Sequence, residues 1–333
     1  MKAAFLNNNP DKVRWVYSDD VIAKLSELTE LDRTIYTAED LASGKADLSE
    51  TEIIFTTWKM PALTEEEIRR YLPKAKAVFY AAGSVQYFAR PFLACGVRVF
   101  SAWAANAVPV AEFAAAQIVL ANKGYFAVSN AHSLEERRGK KLLFPEFPGN
   151  YDTKVGIIGA GMVGKQVIER LKSYQLETLV FDPFQPDETA AALGVKKVGL
   201  QELFASCFAV SNHLANNEQT KGMLRGEHFA AMPKNATFIN TGRGAQVAED
   251  ELIAVLEARP DLHVLLDVTL PEPPAADSPF YRLPNVHLTP HIAGSSGREV
   301  VRMAEYMAEE CKLYLSGKKT RYEVTEKMLE TMA

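Results

Sequence analysis

The sequence predicts an α/β protein made of two doubly wound domains, each built on a parallel sheet. Short apolar runs, long enough for buried strands, alternate with helical patterns through both halves of the chain. A strand, glycine turn, helix and second strand follow one another in residues 154–182, and the first half has no such turn. A length of 333 residues suits about two domains. We therefore expect two domains of the same class, of which the second binds a nucleotide.

The composition is that of an ordinary soluble protein. Hydrophobic residues make up 47% and charged residues 24% of the chain, and the formal net charge is −5. Without a basic run, a nucleic-acid partner is not expected. Cys95, Cys207 and Cys311 are isolated, so we expect neither a disulfide framework nor a metal site. The short apolar run at the N-terminus does not suit a secretory signal, and we expect a cytoplasmic protein.

Taken in order, the first half shows strand-like runs at residues 3–6, 53–56, 78–81 and 97–100. A capping box at Thr64 and Glu67 starts a helix between them. Residues 107–123 predict a long helix, buried rather than membrane-spanning because polar residues interrupt it, and residues 125–138 continue it in a polar register. Further runs near residues 208–211, 236–239, 263–266 and 286–288 raise the expected number of parallel strands in the second domain to six. A last helix at residues 298–315 ends at Gly317 and is followed by a polar tail.

The glycine turn predicts a dinucleotide site. Gly159, Gly161 and Gly164 form G-x-G-x-x-G between a buried strand and an amphipathic helix, whose N-terminus is suited to a pyrophosphate. Asp182 ends the next strand, where its carboxylate can bind ribose hydroxyls and repel a 2′-phosphate. We therefore expect NAD rather than NADP. The predicted cofactor-binding residues of this unit are Gly159, Gly161, Met162, Val163, Gly164 and Asp182.

Three side chains after strand-like runs suggest redox chemistry at a carbonyl. In a doubly wound sheet, ligands lie beyond the carboxyl ends of the strands. Arg243 lies between two glycines and suits a carboxylate, Glu272 lies among prolines, and His291 follows a proline. Singly, each has a structural alternative: a surface turn, a solvated acid, a structural histidine. Together they can reduce a 2-oxo acid, with Arg243 binding the carboxylate, His291 as acid or base and Glu272 orienting the imidazole.

These motifs closely resemble the D-2-hydroxyacid dehydrogenase family over nearly the whole chain. The resemblance rests on the glycine turn, the N-T-G-R-G block, the glutamate among prolines and the block L-P-N-V-H-L-T-P-H-I-A-G. It implies that Arg243, Glu272 and His291 are catalytic, as in enzymes of the glyoxylate or hydroxypyruvate reductase and phosphoglycerate dehydrogenase type. It also implies a Rossmann NAD domain at residues 103–293 and a discontinuous, flavodoxin-like substrate domain at residues 1–102 and 294–333. The helix near residues 107–123 is then the contact of a homodimer.

The resemblance implies roles for further residues. Asp267 would hold the nicotinamide carboxamide, and Thr241 and Gly242 would line the ribose region, although the family block has alanine where this chain has Gly242. His213 would lie near the cofactor phosphates, with a core histidine as the alternative. Backbone amides at Gly83 and Ser84 would bind the substrate carboxylate in a loop that matches the family only partly.

One substrate contact is suggested by position rather than by resemblance. Trp58 and Lys59 follow the strand at residues 53–56 and are expected at a strand end of the first domain. Either Lys59 binds an anionic group of the substrate, or Trp58 packs and Lys59 is solvated.

The leading hypothesis is an NAD-dependent dehydrogenase of the class EC 1.1.1.- that interconverts a small 2-oxo acid and its D-2-hydroxy acid. The alternative from another class is a non-catalytic, NAD(H)-sensing protein like the corepressors of the same family. A third possibility, formate dehydrogenase, uses glutamine in place of the glutamate, and Glu272 argues against it.

Overall fold

The computed structural model describes residues 1–129 and 132–330. Within these residues the strands are β1 Lys2–Leu6, β2 Glu30–Tyr36, β3 Ile53–Thr56, β4 Ala77–Tyr80, β5 Arg98–Ser101, β6 Tyr151–Ile158, β7 Gln175–Phe181, β8 Lys196–Lys197, β9 Ala209–Asn212, β10 Thr237–Asn240, β11 His263–Leu266, β12 Val286–Leu288 and β13 Glu323–Val324. The α-helices are α1 Pro10–Val16, α2 Asp19–Leu28, α3 Ala38–Ala42, α4 Glu65–Tyr71, α5 Ala89–Ala94, α6 Trp103–Asn122, α7 Tyr125–Val128, α8 Leu134–Leu142, α9 Met162–Leu171, α10 Asp187–Leu193, α11 Leu200–Ser206, α12 Gly226–Ala230, α13 Glu249–Ala258 and α14 Glu299–Leu315.

The first of two compact units comprises residues 1–106 and 295–333. Its sheet has the strand order β13-β5-β4-β3-β1-β2, in which β1 to β5 pair in parallel. Apolar clusters cover both faces of this sheet, and Met303 and Met307 of α14 pack with Phe79 and Phe100 on one of them. A sheet buried on both faces explains why its central strands consist of continuous apolar runs.

The polar tail after α14 is part of this unit. Glu323 and Val324 form the edge strand β13, antiparallel to β5. The buried carboxylate of Glu310 accepts hydrogen bonds from the backbone of Arg321 (2.8 Å) and Tyr322 (3.0 Å). A strand of two residues is too short to leave an apolar pattern, so the sequence indicated only a tail.

The second unit comprises residues 107–294 and holds one parallel sheet in the order β12-β11-β10-β9-β6-β7-β8. The expectation of six strands was wrong by one in the described residues, because β8 consists of two lysines and has no apolar run. Both units are α/β with mainly parallel sheets, which confirms the predicted fold class.

Helix α6 begins earlier than expected and crosses the boundary between the units. It starts at Trp103 and ends at Asn122, so the first boundary falls after Asn106, within the helix, rather than after Ala102. Gly124 lies just beyond the end of the helix in a left-handed conformation, with φ +69°. The continuous helix expected over residues 125–138 is wrong where described: α7 and α8 are separate, Ser133 caps α8, and residues 130 and 131 lie outside the described part.

Among the described residues, α6 is also the one helix with the length and apolar composition of a membrane span. Of its most apolar stretch, 56% is buried within the protein. In the second unit, Ala111, Ala114 and Ile118 pack with strand residues such as Val155. The apolar character of the helix therefore matches its place in a core.

Candidate active site

The glycine turn between β6 and α9 has the close packing that its three glycines predict. Gly159 has φ +89°, and a Cβ there would lie 2.9 Å from the backbone carbonyl of His213. A Cβ on Gly164 would lie 1.9 Å from the carbonyl oxygen of Gly159. At Gly161, the N-cap of α9, a Cβ would meet nothing within 4 Å. The turn is thus sealed on its inner side and open at the helix N-terminus, where an anion such as a pyrophosphate fits.

Asp182 follows β7 and connects two loops. Its Oδ2 accepts a hydrogen bond from the backbone of Ala160 (2.7 Å) in the glycine turn. Its Oδ1 accepts from Phe184 (2.7 Å) and Gln185 (3.1 Å). The side chain is buried, yet a carboxylate has about four acceptor sites, so capacity remains for a ligand hydroxyl. The carboxylate lies beside the glycine turn, and its contact with an adenosine ribose stays a prediction.

His213 lies behind the glycine turn with both ring nitrogens partnered. Ser211 Oγ is 3.0 Å from Nε2, and Thr241 Oγ1 is 3.1 Å from Nδ1. Burial lowers the pKa of His213 to about 3, so the ring is neutral near pH 7. A neutral, fully bonded imidazole matches the core-histidine alternative, and a role beside the cofactor phosphates stays a prediction.

The three predicted catalytic residues follow three adjacent strands of one sheet. Arg243 follows β10, Glu272 lies in the loop after β11, and His291 lies just beyond β12. Because these strands are parallel neighbours, their carboxyl ends share one edge. Nδ1 of His291 lies 2.6 Å from Oε1 of Glu272. A carboxylate only accepts, so Nδ1 carries a hydrogen, and Nε2 is left without a hydrogen bond in the described chain.

Asp267 shapes the turn that carries His291. Its Oδ1 accepts from Thr289 Oγ1 (2.6 Å) and the backbone of Ile292 (2.8 Å), and its Oδ2 accepts from the backbone of Ala293 (3.0 Å). His291 has φ +54°, a left-handed conformation that costs energy for a non-glycine residue and needs support from its surroundings. The bonds from Asp267 provide that support. A contact of Asp267 with the nicotinamide carboxamide stays a prediction.

Arg243 is partly buried and has no carboxylate within ion-pair distance in the described residues. Its Nη1 donates to the carbonyl of Gly242 (2.7 Å). Loss of solvent lowers the pKa of the Arg243 guanidinium, and the charge of Glu272 acts in the opposite direction. A cation held largely out of water, with donors to spare, is suited to an anionic ligand.

The predicted substrate residues of the first unit lie at the ends of β3 and β4. After β4, the backbone amides of Gly83 and Ser84 make no hydrogen bond within the described chain, which leaves them available to a carboxylate. After β3, Trp58 stacks on Trp15 with ring centroids 5.9 Å apart. This packing fits the alternative in which Trp58 is structural and Lys59 is solvated. Lys59 is exposed, with φ +75°.

The sequence did not single out Glu249. Its Oε1 accepts from the backbone of Leu270 (2.8 Å) and so holds the loop that carries Glu272. Burial raises the pKa of Glu249 to about 7. An acid in the first turn of a helix is common, so nothing in the sequence distinguished it from an ordinary residue of α13.

The chain is similar to known proteins in sequence and in fold. Residues 129–293 match the family described as "D-isomer specific 2-hydroxyacid dehydrogenase, NAD binding domain". A D-3-phosphoglycerate dehydrogenase of Archaeoglobus fulgidus is 31% identical over 215 residues, which is 65% of this chain and 40% of that one. A glyoxylate reductase of Korarchaeum cryptofilum is 29% identical over 249 residues, 74% of each chain. The apo D-mandelate dehydrogenase of Rhodotorula graminis superimposes with a TM-score of 0.80 at 19% identity, covering 98% of both chains, and shows the shared fold alone.

The matched region contains the glycine turn, Asp182 and the three strand-end residues, so the similarity covers the site and not only the sheet. The chain spans 25–42% of the length of the phosphoglycerate dehydrogenases it matches. The glycine turn fits the nicotinamide dinucleotide that the name of the matched domain implies. The chain belongs to the family of D-isomer-specific 2-hydroxyacid dehydrogenases.

Proposed function

We propose that the protein is an NAD-dependent oxidoreductase that interconverts a small 2-oxo acid and its D-2-hydroxy acid, with His291 as acid and base. The observation that carries this proposal is the bond between His291 Nδ1 and Glu272 Oε1, 2.6 Å long, at the sheet edge where Arg243 also lies. That set supplies a proton donor, its orienting carboxylate and a cation for the substrate carboxylate.

In the reducing direction, bound NADH supplies the hydride to the carbonyl carbon. Arg243 holds the substrate carboxylate, and its positive charge favours negative charge on the neighbouring carbonyl oxygen. His291 gives its Nε2 proton to that oxygen, which completes the alcohol. Glu272 keeps the Nδ1 side of the ring bonded and so fixes the orientation of the imidazole. In the oxidising direction, neutral Nε2 accepts the hydroxyl proton.

The cofactor preference is proposed to be NAD over NADP. The support is Asp182, whose carboxylate lies beside the glycine turn and bonds the backbone of Ala160 (2.7 Å). A second negative group, such as a 2′-phosphate, is repelled at this position. Arg170, a cation in the second half of α9, is paired with Glu112 (3.3 Å).

The protein is also proposed to be a homodimer. Helix α6 exposes Glu112, Ala116 and Leu120 on the side away from its core residues. The first-unit amides of Gly83 and Ser84 are proposed to take part in carboxylate binding, and Lys59 is proposed to interact with an anionic substrate group.

A substrate panel tests the function directly. NADH oxidation by pure protein is followed with glyoxylate, hydroxypyruvate, pyruvate, phosphohydroxypyruvate and larger 2-oxo acids. We expect turnover with at least one of them and a lower rate with NADPH. Binding of NADH without turnover on any member contradicts the proposed enzyme and favours an NAD(H)-sensing role.

A further inference from the structure

A cluster of three buried amide side chains lies at the carboxyl ends of β9 and β10. Asn212, Asn240 and Gln246 have 0% of their surface exposed. Asn212 and Asn240 are direct partners in the strand register. Asn212 Nδ2 donates to Asn240 Oδ1 (3.0 Å) and to Gln246 Oε1 (2.6 Å). Buried amides are costly unless bonded, so the cluster needs each of its partners.

Gln246 uses its whole hydrogen-bonding capacity. Oε1 accepts from Asn212 Nδ2 and from the backbone of Arg243 (3.1 Å). Nε2 donates to the carbonyl groups of Leu214 (2.8 Å) and Ala215 (3.0 Å). Two acceptor and two donor positions are the complete inventory of a side-chain amide. Gln246 therefore links the loop after β9 to the loop that bears Arg243.

Asn240 of the cluster also bonds the backbone before and after the Cα atom of Arg243. Asn240 Oδ1 accepts from the backbone of Gly242 (3.0 Å), and Asn240 Nδ2 donates to the carbonyl of Arg243 (3.2 Å). The carbonyl of Gly242 in turn accepts from Nη1 of Arg243 (2.7 Å). The backbone and the guanidinium of Arg243 are thus both fixed by groups bonded to the same three amides.

Gly242 fits this arrangement because it lacks a Cβ. A Cβ at this position would lie 2.6 Å from Gln246 Oε1 and 2.8 Å from Asn212 Nδ2, both shorter than real contacts. The absence of a side chain at position 242 therefore leaves the room that the amide cluster occupies. Gln246 takes no part in the catalytic roles above.

We propose that Gln246 positions Arg243, together with Asn212 and Asn240. Gly242 and Gln246 are in addition a matched pair, in the sense that the side chain of Gln246 requires a residue without a Cβ at position 242. The proposal rests on the proposed function in one respect, that Arg243 binds the substrate carboxylate. Gln246 acts through Arg243. Its loss weakens carboxylate binding more than it slows the chemical step, and leaves the dinucleotide site at Gly159–Gly164 unchanged.

The kinetic test compares Gln246→Met, which keeps the volume and removes all four bonds, with wild type. The substrate is the best member of the panel above, and binding of oxamate to the NADH complex is measured by calorimetry. We expect the KM and the oxamate Kd to rise about 10-fold or more, because the backbone and the guanidinium of Arg243 are no longer held in place. We expect a smaller fall in kcat and an NADH Kd within about two-fold. An unchanged KM and oxamate Kd overturn the proposal.

Asn285→Ala is the matched control. Asn285 is a buried amide of the same unit that donates to the carbonyl groups of Leu256, Arg259 and Leu262, away from Arg243. Its loss lowers the melting temperature and is expected to leave KM unchanged. An equal rise in KM for Asn285→Ala and Gln246→Met reduces Gln246 to a structural role.

A double-mutant cycle tests the pair without relying on activity. Thermal unfolding is measured for Gly242→Ala, Gln246→Ala and the double variant. We expect Gly242→Ala to lower the melting temperature strongly in wild type and less in the Gln246→Ala background, because the nearer clash partner, Gln246 Oε1, is gone and only Asn212 Nδ2 remains close. Additive shifts overturn the matched pair. If the wild-type protein turns over no member of the substrate panel, the proposed function is wrong. The double-mutant cycle still tests the coupling between Gly242 and Gln246, because it measures stability and not activity.

Discussion

The carbonyl group of Thr269 lies directly against the Cα of Gly244. A Cβ on Gly244 would lie 2.0 Å from the carbonyl carbon of Thr269 and 2.5 Å from the backbone nitrogen of Leu270. Gly244 follows Arg243, and Thr269 begins the loop that carries Glu272. The loops after β10 and β11 are therefore packed backbone to backbone, which ties the position of the arginine to that of the glutamate.

We expect Gly244→Ala to separate these loops and lower both stability and turnover. A Cβ this close to backbone atoms forces the main chain to move, at a cost of about 1–3 kcal/mol for an overpacked site. Steady-state kinetics and thermal unfolding measure the two effects. Gly139→Ala in α8 is the control, since a Cβ there meets nothing within 4 Å and alanine favours a helix. Normal turnover in Gly244→Ala contradicts the coupling of the two loops.

We expect His291→Gln to lower kcat by roughly 10²–10⁴-fold, the usual contribution of a positioned acid or base. NADH binding, measured by fluorescence, is expected to persist because the glycine turn is separate from this residue in the sheet. Turnover close to wild type removes His291 from the mechanism.

We expect Glu272→Gln to have a smaller effect than His291→Gln. Glutamine retains an oxygen that can accept the bond from His291 Nδ1 and loses only the charge. Kinetics of the two variants under the same conditions give the comparison. A loss with Glu272→Gln as large as that with His291→Gln assigns the carboxylate more than an orienting role.

We expect Asp182→Ser to narrow the preference for NADH over NADPH, because repulsion of the 2′-phosphate is lost. Affinity for both cofactors is expected to fall somewhat, since Asp182 also bonds the backbone of Ala160. The ratio of kcat/KM values for the two cofactors is the measurement. Asp187→Ser changes an exposed acid at the start of α10 and is expected to leave the ratio unchanged. A wild type that already prefers NADPH contradicts the role of Asp182.

We expect Glu249→Gln to stabilise the protein at pH 8 and to change little at pH 4. Burial raises the folded-state pKa of Glu249 from 4.5 to about 7, so between these values the folded chain holds a proton that the unfolded chain releases. The free energy of unfolding therefore falls as the pH rises through this range. Glutamine removes the charge and keeps an oxygen for the bond from Leu270. A gain of about 1 kcal/mol would raise the melting temperature by about 2–4 °C.

Thermal unfolding across the pH range, followed by circular dichroism, checks this sign. Glu257→Gln changes an exposed acid of the same helix and is the control. It is expected to leave the melting temperature unchanged at both pH values. Equal melting temperatures of Glu249→Gln and wild type at pH 8 contradict the destabilising role of the charged form.

We expect a homodimer by light scattering and a shift towards monomer in Leu120→Glu. Leu120 lies on the exposed side of α6 with 39% of its surface accessible, and a buried charge there opposes an apolar contact. Tyr174→Glu adds the same charge at another exposed residue of the second unit and is expected to stay dimeric. A wild-type monomer at micromolar concentration contradicts the proposed dimer.

The sequence by itself determined the elements whose pattern is local. Apolar runs marked the buried strands because a sheet covered on both faces requires them. The glycines at 159 and 164 marked the dinucleotide turn, because a Cβ at either position would clash with backbone atoms. The G-x-G-x-x-G spacing already indicates this close packing. Arg243, Glu272 and His291 were singled out as candidates because each lies in the stretch that follows such a run.

Only the tertiary structure decided which side chains are partners. The sequence suggested that Glu272 orients His291, but it did not indicate the support of the His291 turn by Asp267 or the four hydrogen bonds of Gln246, which depend on where the strands end relative to one another. The lysines of β8 and the two residues of β13 form strands because a neighbouring edge offers hydrogen bonds, and not because of an apolar pattern. A buried polar group bonds to whichever partner the tertiary structure brings close to it, and the sequence does not indicate which residue that is.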